Sequence, residues 1–149
     1  MPTALYLEDL VVGTEYRSAE HQLDAEQIIA FARQFDPQPF HLDPEAAKDT
    51  FFKGLSASGW HTAAITMKLL VGSFPLAGGV IGSGGEIEWP QPTWPGDTLH
   101  VVSTILEIVP SRSKPERGMV RVECRTVNQR GEICQRFFPR IIVERRPKA

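Results

Sequence analysis

The sequence predicts an α+β protein in which one long buried helix packs against an antiparallel sheet. Three observations predict it. Helical periodicity is confined to the first half of the chain, ending near residue 73. From Gly78 onward, four runs rich in β-branched residues alternate with Pro, Gly, Asn and Asp clusters. Between these halves lies "WHTAAITMKLLVGSF", apolar over so broad a face that it should be largely buried.

The elements follow in order. Residues 14–22 read as a short first strand. Asp24 then N-caps "LDAEQIIAFARQF", with Gln27 as capping-box partner and Leu23 and Ile28 as a hydrophobic staple. Ile28, Phe31, Ala32 and Phe35 share one helical face. The helix must stop near Phe35, because Pro37 disfavours helical geometry at Asp36 and Pro39 follows at once. Asp43-Pro44 restarts the chain as a cap with proline at the first helical position, predicting a short helix over "PEAAKDTFF". "KGLSASG" is a small, polar loop. The helix after it should bury Trp60, Ala63, Ala64, Met67, Leu70 and Val71, with His61 and Lys68 pointing elsewhere.

The four strands are "GVIGSGGEIEWP", "DTLHVVSTILEIVP", "GMVRVECRTVNQRG" and "EICQRFFPRIIVE". A polar loop, "PSRSKPERG", joins the second to the third, and a tight hairpin at "NQRG" joins the third to the fourth. Pro139 inside the last run predicts an edge strand or a bulge.

Composition narrows the function classes. A chain of 149 residues predicts one domain, with 42% hydrophobic and 23% charged residues as in ordinary globular proteins. A net charge of −2 gives no basic excess to attract nucleic acid. The N-terminal residues lack the pattern of a signal peptide, and the most apolar run is broken by Lys68, glycines and Pro75, so no membrane span is expected. Cys124 and Cys134 read as buried free thiols, which fits a cytoplasmic protein. The glycines of "GGVIGSGG" lack dinucleotide-fingerprint spacing, and no Gly-x-Ser-x-Gly elbow occurs. His21, His41, His61 and His100 show no metal-ligand spacing, so neither metal nor cofactor is expected.

The segment "FDPQPFHLDP" holds the candidate chemistry. Asp36 before proline is an ordinary turn residue, and His41 on its own reads as a core histidine. Two features point further. The prolines stiffen the segment, fixing Asp36 and His41 at low entropic cost. The small-residue loop ending in Ser58 and Gly59 feeds a helix N-terminus, whose free N–H groups can hold a developing oxyanion. An acid, a base and an oxyanion holder lying close in sequence fit the pattern of an active site.

These residues resemble the MaoC-like dehydratases, or R-specific enoyl-CoA hydratases. The family pattern of Asp, any residue, Asn, Pro, a hydrophobic residue and His is matched at all but one position by Asp36, Pro37, Gln38, Pro39, Phe40 and His41, with Asp43-Pro44 following. "GLSASGWHTAA" is similar to the family's loop into its central helix. "EIEWPQPTWPGDTLHV", with Gly96-Asp97, is similar to its strand, proline turn and next strand. The likeness covers about residues 8–144.

The resemblance implies a hotdog fold, a sheet wrapped around the helix at 59–73, in a homodimer with sites near the subunit interface. It implies hydration of an enoyl thioester carried by CoA or an acyl carrier, with Asp36 and His41 as the catalytic pair. The Gly59 N–H would hold the thioester oxygen, with Gln38 and Ser58 beside it. Burial is expected to bring the Asp36 carboxyl nearer to neutral pH. Gln38 stands where the family has Asn, and Met67 where some members carry a supporting serine. Trp60, Phe74, Trp89 and Trp94 are candidate tunnel-formers. Two alternatives stand beside hydration. One is a hotdog thioesterase, disfavoured because no Asp or Glu occurs from Gly54 to Gly85; the other is a non-catalytic acyl-thioester-binding dimer.

Overall fold

The computed structural model describes residues 3–148. After a 3₁₀ turn at Leu7–Asp9, the elements run β1 (Glu15–Arg17), β2 (His21–Gln22), α1 (Ala25–Phe35), α2 (Pro39–Leu42), α3 (Pro44–Ala47), α4 (Gly59–Ser73), β3 (Ile81–Glu88), β4 (Thr98–Pro110), β5 (Arg117–Val127) and β6 (Ile133–Glu144). The sheet is antiparallel in the order β1-β4-β5-β6-β3, with β2 also pairing β4.

The predicted first strand is two strands. Ser18 interrupts it, bonding the Val101 backbone through both its own N–H and its Oγ. Asp24 caps α1 by accepting from the Gln27 N–H, and Leu23 and Ile28 are fully buried. The side chain of Gln27 does not close the capping box. It reaches back to His21 Nε2 and the Gln22 carbonyl instead. The helix predicted over residues 44–52 is a single turn, α3. The Thr50 hydroxyl takes the Ala47 carbonyl, and Lys53 adopts φ 61°, so the helical ladder is not continued.

Pro139 does not mark an edge, because β6 lies between β5 and β3. The irregularity lies instead on the facing strand, between Gly82 and Gly84. Gly85 makes room for the proline: a Cβ there would sit 2.9 Å from the Pro139 Cα. The edge is β3 itself, exposed along nearly all its length. The β5–β6 turn closes on Gly131 at φ 78°, while the Asn128 side chain accepts the N–H groups of Arg130 and Glu132.

Helix α4 packs on β4, β5, β6 and α1. Ile65, Leu69, Leu70, Val101, Ile105, Val120, Val122, Ile141 and Val143 form the core between helix and sheet. Full burial of such side chains contributes roughly 1.5–3 kcal/mol each. Cys124 and Cys134 are buried and free. Among the described residues, no helix is long and apolar enough to cross a membrane.

Of the face predicted for α4, Leu70 is buried, but Ala63 is half-buried and Ala64 is exposed. His61, Thr62, Ile65, Thr66, Leu69 and Leu70 face inward, while Trp60, Met67 and Val71 are 59%, 38% and 53% exposed. The helix is apolar nearly all round, so hydrophobicity alone does not choose its face. The two inward threonines find hydroxyl partners instead: Thr66 Oγ1 lies 2.5 Å from Thr126 Oγ1, and Thr62 Oγ1 lies 3.2 Å from Thr93 Oγ1.

His61 stacks on Phe31 with ring centroids 4.6 Å apart and planes 4° from parallel. Burial, with His21 nearby adding in the same direction, lowers its pKa from 6.5 to about 4. Between these values the unfolded chain binds a proton at this position that the folded chain does not. Stability is therefore expected to fall as pH drops from 6.5 to about 4. His61→Phe keeps the stack and removes the titration. Its melting temperature should change less across that window than that of the wild-type chain; equal slopes would contradict this.

Candidate active site

The two prolines do more than stop α1. Asp36 is its C-cap, and Pro39 occupies the first position of α2 with Gln38 as cap. Within that one turn His41 is carried inward to 4% exposure. The loop ahead of α4 is anchored on both sides: the Ser56 N–H donates to the Phe40 carbonyl at 3.0 Å, and the Ala57 N–H to the Thr93 carbonyl at 2.8 Å. Asp36, His41, Ser58 and Gly59 are brought together as expected.

His41 Nδ1 lies 2.6 Å from the Ser56 carbonyl oxygen. A carbonyl only accepts, so Nδ1 carries the hydrogen and the neutral ring keeps its lone pair on Nε2. That nitrogen lies 3.4 Å from Asp36 Oδ2. Asp36 is held from two further directions. Ser58 Oγ donates to Oδ2 at 2.7 Å, and Gln38 Nε2 donates to Oδ1 at 2.5 Å. The longer arm of Gln38 thus orients the carboxylate, and the Ser58 hydroxyl points to Asp36 while also accepting the Trp60 N–H at 3.2 Å.

These bonds overturn the expected pKa shift. Burial alone would raise the Asp36 carboxyl, but the donors Ser58 and Gln38, with His41 nearby, hold it below its ordinary 3.8. Asp36 is therefore a carboxylate at neutral pH.

The pair opens into a cleft of about 670 Å³ lined by Asp36, Gln38, Phe40, His41, Phe51, Phe52, Gly59, Trp60, Thr62, Trp89 and Thr93. Gly59 is the first residue of α4, where an N–H has no intrahelical acceptor. Asp36 is the one carboxylate among the described lining residues. Asp43 lies outside the lining and caps α3 by accepting the Glu45 N–H. Of the candidate tunnel-formers, Trp60 and Trp89 line the cleft, while Phe74 is in the core and Trp94 packs near Gly54. Met67 is not in the lining; Thr62 and Thr93 supply the hydroxyls there. The Ser56 carbonyl had no sequence signal, because any residue could supply it.

An antiparallel sheet on one long helix defines a hotdog fold, here with a polar pair beside the start of that helix. Residues 9–128 match the family model described as "MaoC like domain", and the chain belongs to that family. The MaoC-like dehydratase from Rhodospirillum rubrum is 57% identical, with a TM-score of 0.95, over 97% of this chain and 100% of that one. The R-hydratase PhaJ1 from Pseudomonas aeruginosa is 26% identical, with a TM-score of 0.79, over 96% and 88% of the two chains. YdeM, an uncharacterized Bacillus subtilis protein, is 32% identical over 127 residues, 83% of this chain and 88% of its own.

Proposed function

We propose that the chain is an enoyl-thioester hydratase, reversibly adding water to a trans-2-enoyl-CoA or related acyl thioester to give the 3-hydroxyacyl thioester. The observation that carries this reading is the 3.4 Å approach of two acceptors, His41 Nε2 and the Asp36 carboxylate, in the lining of a largely apolar cleft. A water there can donate one hydrogen to each.

His41 Nε2 takes a proton from that water as its oxygen attacks Cβ, and Asp36 stabilises the resulting imidazolium. The same pair returns one proton to Cα, so that H and OH add to one face. Negative charge gathers meanwhile on the thioester oxygen, where the Gly59 N–H and the α4 terminus stabilise it. The likeness to a named R-hydratase supports the reaction class.

We also propose that the chain works as a homodimer. The exposed stripe of Trp60, Met67 and Val71 and the free edge β3 support this. Two free buried thiols suit a reducing cytoplasm, and acyl-chain metabolism is the proposed setting.

Purified protein mixed with crotonyl-CoA tests the reaction. Loss of enoyl absorbance without release of free CoA is expected. Thiol release with the enoyl group intact would contradict hydration and indicate a thioesterase; tight binding with neither change would indicate a non-catalytic binder.

A further inference from the structure

A buried polar chain runs away from the cleft, beyond the groups the reaction uses. Trp89 Nε1 donates to Gln135 Oε1 at 2.9 Å, and Gln135 Nε2 donates to Thr66 Oγ1 at 2.9 Å. Thr66 Oγ1 donates in turn to the Thr62 carbonyl at 2.8 Å, which leaves Thr126 as the donor in the 2.5 Å Thr66–Thr126 bond. Gln135 and Thr126 are fully buried and Thr66 nearly so, and each donor atom in the chain reaches an acceptor. A buried glutamine held by Thr66 on one side and reaching Trp89 on the other calls for a reason beyond filling the core.

The reason lies at the other end. The Trp89 indole rests directly on Gly59: a Cβ on Gly59 would meet Trp89 Cε2 at 2.7 Å. Trp60 braces the same indole edge-on, with ring centroids 5.2 Å apart and planes at 84°. The indole is thus clamped at its N–H by Gln135, while its rings stay part-exposed in the cleft beside the start of α4.

We propose that Trp89 is a specificity-determining platform, and that Gln135 is the positioning residue that holds it. This rests on the hydratase reading. A conjugated enoyl thioester is planar through its carbonyl, Cα and Cβ. With its oxygen at the Gly59 N–H and one face toward Asp36 and His41, it needs a flat apolar support on the other face. The fixed indole supplies one, favouring a planar, conjugated acyl group and keeping Cβ within reach of the water.

Four variants test it: Trp89→Phe, Trp89→Ala, Gln135→Leu, and the Trp89→Phe/Gln135→Leu double variant. Misplacement by about 1 Å can cost about a hundredfold in rate, so Trp89→Ala is expected to lose about that much in kcat/KM for crotonyl-CoA. Gln135→Leu should lose about tenfold, in kcat more than in KM, because it loosens the indole without removing it. The double variant should be no slower than Trp89→Phe alone, since the phenyl ring has no N–H for Gln135 to hold. Multiplying losses in the double variant, or wild-type turnover by Trp89→Ala, would overturn the proposal. Should Gln135→Leu fail to fold, the two Trp89 single variants still decide. If the wild-type chain itself does not hydrate crotonyl-CoA, the hydratase reading fails. The platform is then judged by calorimetry with crotonyl-CoA and its saturated counterpart butyryl-CoA: loss of a preference for the planar crotonyl group in Trp89→Ala sustains it, and an unchanged ratio of affinities overturns it.

Discussion

Asp36→Asn and His41→Ala are each expected to lower hydration of crotonyl-CoA by about 10²–10⁴. The two changes act differently. Asp36→Asn keeps the shape and can still accept from Ser58 Oγ, which now donates at 2.7 Å, but it removes the charge that stabilises the imidazolium. His41→Ala removes the lone pair facing Asp36 and leaves the Ser56 carbonyl without its 2.6 Å partner. Leaving such a buried acceptor unpaired costs about 1–3 kcal/mol, so this variant should also melt earlier. Because the residues act as a unit, the double variant should be little slower than the worse single one. Near wild-type turnover in either single variant would remove the pair from the mechanism.

Gly59→Ala is the second large effect, and two influences oppose each other there. Alanine in place of glycine within a helix normally gains about 1 kcal/mol. Here the new Cβ would lie 2.7, 2.9 and 3.0 Å from three atoms of the Trp89 indole, which Gln135 holds in place. Overpacking of this kind costs about 1–3 kcal/mol, so the steric term wins and the variant should melt below wild type. Relief of the clash must tilt the indole or shift the start of α4. Either moves the N–H from the thioester oxygen, and a loss of one oxyanion donor costs about 10²–10³ in kcat. Adding Trp89→Ala should restore the melting temperature but not the activity. A Gly59→Ala chain as stable and active as wild type would contradict the placement of both residues.

Much of the fold was legible because the signals were local. The Asp24 cap, the Leu23–Ile28 staple, the prolines closing α1 and the Asp43-Pro44 restart act within a few residues of themselves, and each stands where it was expected. The pair Asp36 and His41 was legible for the same reason, since one turn of α2 links them. What was not legible depends on distant partners. The inward face of α4 is set by Thr126, Gln135 and Thr93, far along the chain, and a helix apolar on nearly every side gave no preference. The charge state of Asp36 depends on Ser58, 22 residues away. The Trp89–Gln135 bond joins a strand end to another strand 46 positions later, which no short motif encodes. Pro139 suggested an edge or a bulge in its own strand, yet the irregularity and the glycine that makes room for it lie on the neighbouring strand.

The most direct test of the account is hydration of crotonyl-CoA in deuterated water by the wild-type chain, with the product's configuration read by NMR. A single Asp36–His41 pair that both activates the water and returns the proton predicts deuterium at Cα on the same face as the new hydroxyl at Cβ. Deuterium on the opposite face would require a proton donor across the cleft and would contradict the shared role of the pair.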